Sequence, residues 1–99
     1  MDFSKENISV FDFNAIIKSI RRSSDKDSKS YKVTEYYIDL TSGRLDGGGI
    51  ALARAKLLNI EKELKKWVKK HPSNNQCIMQ PEESAILLIN DLRNRGLLT

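Results

Sequence analysis

The chain has little of what builds catalytic or metal sites. Its 99 residues include one cysteine, Cys77, one histidine, His71, one tryptophan, Trp67, and two prolines. A single thiol excludes an intramolecular disulfide, and with it the stapled framework of small secreted domains. His71 and Cys77 are separated by residues that include Pro72, and together they do not supply a metal-ligand set. Cys77 lies in an apolar Cys-Ile-Met context, which suits a buried, inert thiol better than an activated one. Apolar runs are short: the longest, residues 85–89, compares with the roughly 20 residues of a bilayer span. The opening Met1-Asp2-Phe3-Ser4-Lys5-Glu6 has neither the basic stretch nor the apolar run of a signal peptide. The expectation is a cytoplasmic, non-enzymatic protein with no cofactor, no metal and no membrane association.

Charge and helical periodicity are what the chain does have. Charged residues make up 30% of it, and 17 Lys plus Arg against 13 Asp plus Glu leave a net charge of +4. That is a mild basic excess, which attracts polyanions at long range without naming one. The length predicts one domain over residues 1–99, burying roughly 60–70% of its unfolded surface.

Residues 1–9 are polar and read as an arm. Phe13, Ile16, Ile17 and Ile20 recur at helical spacing and predict a first helix, capped by Asp12 or Ser9 and closed by Arg21 and Arg22. Residues 21–30 contain nothing apolar to bury and predict a mobile surface loop. Residues 31–40 are rich in aromatic and β-branched side chains and read as a strand. Tyr36, Ile38 and Leu40 would line one face, with Tyr31, Val33, Glu35, Tyr37 and Asp39 on the other. A turn over residues 41–44 leads to a brief return strand at Arg44-Leu45.

Residues 50–71 predict a long helix whose seam runs Ile50, Ala53, Leu57, Ile60, Leu64, Trp67. Glu61 and Lys65 stand in the favourable order for a pair one turn apart, and Pro72 stops the helix. Residues 77–79 read as a short inner strand. Pro81-Glu82-Glu83 opens a last helix that buries Ala85, Leu88, Ile89 and Leu92, and Gly96 with Leu97 fits a Schellman ending. The resulting order is α-β-(β)-α-β-α. It predicts a small two-layer α+β domain, with a two- or three-stranded sheet packed by a long central helix and a C-terminal helix.

Three constellations bear on function. Asp46-Gly47-Gly48-Gly49 precedes the long helix, where backbone N–H groups can cradle a phosphate. Position 50 is Ile rather than Lys, no Gly-x-Gly-x-x-Gly pattern is present, and Asp46 sits at the mouth, so a flexible connector is the stronger reading. The second constellation is the outer face of the long helix, where Lys62, Lys65, Lys66, Lys69 and Lys70 can contact phosphates with Arg21, Arg22 and Arg44 as helpers. Tyr36 and Tyr37 could stack bases, although tyrosines in a strand more often pack a core. The third is Glu35, Asp39 and Asp46, the least implausible centre for a metal-dependent nuclease. The leading expectation is therefore a regulatory or accessory protein that contacts nucleic-acid phosphates. A protein-interaction module, inhibitor or adaptor, is the alternative; it would use Tyr37, Leu87, Leu97 and Leu98, as a monomer or a homodimer.

Overall fold

The computed structural model describes residues 13–72 and 80–98. They form four helices: α1 Phe13–Ser23, α2 Lys29–Ser42, α3 Gly47–Lys70 and α4 Pro81–Asn94. Among the described residues there is no strand, so the fold is an all-α bundle and not the α+β domain that residue propensities predict. The arm at residues 1–9, the caps at Ser9 and Asp12, and the strand at residues 77–79 lie outside the described residues.

The correction centres on α2. Its buried positions are Ser30, Val33, Thr34, Tyr37 and Leu40, spaced by threes and fours rather than twos. Local chemistry starts and stops it. Ser28 is the N-cap and its Oγ accepts the Tyr31 N–H at 3.2 Å. Gly43 ends the helix in the left-handed region at φ 74°, which only a residue without Cβ adopts cheaply. The β-branched hydroxyls are satisfied inside the helix: Thr34 donates to the Tyr31 carbonyl, and Thr41 to the Tyr37 carbonyl at 2.8 Å. Arg44 and Leu45 form no return strand; they belong to the connection into α3.

The predicted loop over residues 21–30 also shrinks. Arg21, Arg22 and Ser23 complete α1, and Lys29 and Ser30 open α2, with Ser30 only 2% exposed. Residues 24–28 make the turn, closed by the Ser28 N–H on the Asp25 carbonyl at 3.0 Å.

α1, α3 and α4 follow the apolar periodicity. Ile17 and Ile20 of α1, Ala53, Leu57 and Leu64 of α3, and Ala85, Leu88, Ile89 and Leu92 of α4 join Val33, Tyr37 and Leu40 in one core. The centre of that core is α4, not the long helix: α4 packs against each of the other three, while α1 does not reach α3. α4 starts at Pro81 with Glu82 and Glu83 in the first turn, and Glu83 Oε1 accepts the Gln80 N–H at 3.2 Å. It ends in a Schellman motif. The Leu97 N–H bonds the Leu92 carbonyl at 2.9 Å and the Gly96 N–H bonds the Arg93 carbonyl at 3.1 Å, with Gly96 at φ 76°. Arg54 Nε donates to the Leu97 carbonyl at 2.8 Å, fastening this tail to α3.

Asp46 caps α3, its Oδ1 accepting the Gly49 N–H at 2.7 Å. Gly47, Gly48 and Gly49 form the first helical turn and none has positive φ. A Cβ at Gly47 would meet nothing, and one at Gly48 only Asp46 Oδ1 at 3.8 Å, whereas at Gly49 it would press on Asp46 Oδ1 at 3.1 Å and Leu45 Cδ2 at 3.3 Å. Gly47→Ala and Gly48→Ala are each expected to raise stability by roughly 0.4–1 kcal/mol, by removing freedom from the unfolded chain. Gly49→Ala should gain less or lose. Urea midpoints of the three variants check this.

Candidate nucleic-acid interface

The second half of α3 sorts its side chains by the helical period. Leu64 and Glu61 turn inward, 2% and 6% exposed, while Lys62, Lys65, Lys66, Lys69 and Lys70 are all exposed. From Lys62 to Lys70 the axis advances only about 12 Å. Lys65 is committed to Glu61, with Nζ 3.3 Å from Oε2. Among the described residues no carboxylate pairs with Lys62, Lys66, Lys69 or Lys70. Lys62, Lys65, Lys66 and Lys69 rim a hollow of about 570 Å³ whose floor is Val68 and Ile86.

The arginines divide. Arg21 is used within the fold. Its guanidinium lies 5.0 Å over the Tyr31 ring and its Nε donates to Thr34 Oγ1 at 3.1 Å, joining α1 to α2. Arg22 is exposed beside it. Arg44 stands in the α2–α3 connection, and from the start of α3 to Lys62 the helix rises about 22 Å. It therefore sits far from the lysines.

The structure instead brings the start of α2 to the end of α3. A cleft of about 460 Å³ lies between them, lined by Ser28 and Lys29 on one side and by Lys66, Trp67, Lys70 and His71 on the other. Glu63 of α3 and Glu82 at the start of α4 complete its wall. The Trp67 and His71 rings stack at 4.4 Å between centroids, 20° from coplanar, and the His71 N–H closes α3 on the Trp67 carbonyl at 2.9 Å. Trp67 is 36% exposed although it sits on the predicted core seam. The sequence puts Trp67 on the buried seam near this helix end and Lys29 in a surface loop; the cleft that joins them depends on how α2 and α3 pair.

An ion-pair network under the lysines also escaped the sequence. Arg93 Nη2 and Nη1 donate to Glu61 Oε1 and Oε2 at 2.8 and 3.1 Å. The hydrogen bonds from Arg93 hold the Glu61 carboxyl below the usual carboxylate range, against a burial cost that acts the other way. This pair fixes α3 on α4, and with it the orientation of the lysine face.

Two of the four candidate partner residues lie inside the bundle. Leu98 is 1% exposed and Tyr37 5% exposed, so neither offers surface; Leu87 and Leu97 are half-buried. Among the described residues the exposed large apolar side chains are Leu52, Leu58 and Trp67, all on α3. Tyr36 is half-buried on α2 and packs against the core.

Tyr37 Oη donates to Asp91 Oδ2 at 2.7 Å, and the same oxygen accepts Arg95 Nε at 2.7 Å. Burial first, and the bond to Asp91 second, push the phenol up to about 12. The folded state thus holds this proton more tightly. Its contribution is present below about pH 10 and is lost as pH rises toward 12, amounting to roughly 2–3 kcal/mol at about 1.4 kcal/mol per tenfold change in proton affinity. A tyrosinate absorbance phase near pH 12, missing in Tyr37→Phe, is the expected signature.

The carboxylates read as a nuclease centre do not assemble. Glu35 is exposed on α2, Asp39 is half-buried one turn along, and Asp46 is occupied as the α3 cap. Among the described residues no three of His, Cys, Asp or Glu are grouped to hold a metal ion, and Cys77 lies outside them. The cap also answers the glycine question: the Asp46 carboxylate already takes the position a phosphate would need at this helix start, and the glycines are helical rather than a connector. No described helix is long and apolar enough to cross a membrane.

Comparison of the chain with family models, with curated proteins and with solved structures returns no match. Among the described residues the chain is a four-helix bundle whose long helix carries an exposed lysine face, and the functional reading rests on that geometry.

Proposed function

We propose that this protein binds nucleic acid, in a regulatory or accessory role that involves no reaction of its own. The observation that supports the reading is the exposure of Lys62, Lys66, Lys69 and Lys70 within about two turns of α3, with no acidic partner among the described residues. Four ammonium groups so placed follow a phosphate backbone and release its condensed counterions, which makes the affinity salt-dependent and largely indifferent to sequence. Lys65 contributes less because its ammonium is shared with Glu61, which it contacts at 3.3 Å. Arg44, at the far end of α3, lies outside this surface.

The test is fluorescence anisotropy of labelled single-stranded and duplex DNA and RNA across a salt series, with Lys62, Lys66, Lys69 and Lys70 changed to Gln. Absence of binding at low salt overturns the proposal. A second reading rests on the Val68–Ile86 floor between the lysines, which suits an acidic protein partner with one apolar anchor. Ile86→Asn separates the two: it removes the apolar anchor without adding a charge beside the lysines.

A further inference from the structure

We infer that the cleft between the start of α2 and the end of α3 is a nucleobase site, so that the preferred ligand is single-stranded. This rests on the nucleic-acid reading above and narrows it. Duplex keeps its bases stacked inside and offers the lysines only phosphate. A single strand can turn a base toward the protein while its backbone follows the same cations.

Three features of the cleft point to a base. Trp67 lines it with 36% of its surface exposed, the largest aromatic ring of the chain left in reach of solvent. Its stack with His71 at 4.4 Å extends the aromatic surface that lines the cleft. The cleft carries charges of both signs. Lys29, Lys66 and Lys70 bring cations to the cleft, whereas Glu63 and Glu82 place two carboxylates in its wall. Those carboxylates disfavour a phosphate inside and accept hydrogen bonds from the exocyclic amino groups of adenine, cytosine or guanine. A nucleotide can use both signs, its backbone meeting Lys29, Lys66 and Lys70 and its base amino groups meeting Glu63 or Glu82. The volume, about 460 Å³, falls in the usual range for small-molecule sites.

The sole tryptophan of the chain is the probe. The full chain is titrated with a single-stranded oligodeoxyadenylate, with an abasic strand carrying the same number of phosphates, and with a duplex, following indole emission and anisotropy of the labelled strand. The base-containing strand is expected to quench Trp67 and to bind about 5- to 150-fold more tightly than the abasic one, the range that base–aromatic stacking supplies. Trp67→Ala should bring the two strands to equal affinity, and Trp67→Phe should keep most of the difference. Equal affinity for base-containing and abasic strands with unchanged emission overturns the nucleobase site and leaves the phosphate reading standing. Failure of every strand to bind overturns both. Because the strand comparison uses the unaltered chain, it does not depend on how the Trp67 variants fold.

Discussion

Arg93→Met is expected to lower the stability of the bundle by about 2–3 kcal/mol, the larger of the single-site effects on folding. The Glu61 side chain is 8% exposed and receives two hydrogen bonds from Arg93, at 2.8 and 3.1 Å. Removing one member of a buried pair costs about 3–5 kcal/mol, because the other charge stays behind uncompensated. Here the cost is at the lower end or below it, since the Arg93 side chain is 37% exposed and Lys65 still lies 3.3 Å from Glu61. For a domain of this size the melting temperature should fall by roughly 8–20 °C. The pH dependence has a definite sign. Arg93 lowers the Glu61 pKa in the folded state, so the contribution is complete above the ordinary carboxylate range and is lost as pH falls through and below it. The gap between wild type and Arg93→Met should therefore close in acid. Thermal melts of both proteins between neutral and acid pH measure it, and a neutral-pH difference under about 0.5 kcal/mol would mean that the pair does not hold α3 on α4.

Charge removal on α3 should act on binding and leave folding alone. Lys62, Lys66, Lys69 and Lys70 point outward and pair with no carboxylate among the described residues, so each single change to Gln should move stability by less than about 0.5 kcal/mol. Each phosphate contact multiplies single-strand affinity roughly eightfold at 50 mM salt relative to 1 M, by the counterion-release slope of about 0.7 per contact. Losing one lysine should then weaken binding roughly eightfold, and losing all four by roughly 4,000-fold. Arg44→Gln, at the far end of α3, should change little. A quadruple variant that binds as wild type does would place the interface elsewhere.

The parts of the fold legible in the sequence were those set by local pattern. α1, α3 and α4 announce themselves by apolar spacing, and the Pro81 start and Gly96 ending are chemistry within a few residues of each helix end. α2 was misread because Tyr31, Val33, Thr34, Tyr36, Tyr37 and Ile38 favour strands intrinsically, while its burial by threes and fours is decided by packing against α4. Its true signals were smaller: a serine three residues before Tyr31, and a glycine at position 43.

Trp67 illustrates a finer limit. A seam spaced by threes and fours repeats every 3.5 residues, and a straight α-helix drifts about 20° per heptad relative to it. Ala53, Leu57 and Leu64 remain buried, but by Trp67 the seam has turned toward solvent. The lysine face was legible because it needs only the helical period. The cleft beside it was not, because Lys29 and Glu82 come from helices distant in the chain. The Arg93–Glu61 pair, 32 residues apart, was beyond local reasoning for the same reason.

Nucleic-acid binding by the lysine face is tested most directly by the affinity of the full chain for a labelled single-stranded oligonucleotide between 50 and 200 mM salt. Four phosphate contacts predict a slope of about −3 for log affinity against log salt, a loss of roughly 50-fold over that range. An affinity that does not change with salt, or no binding at the lowest salt, would contradict it.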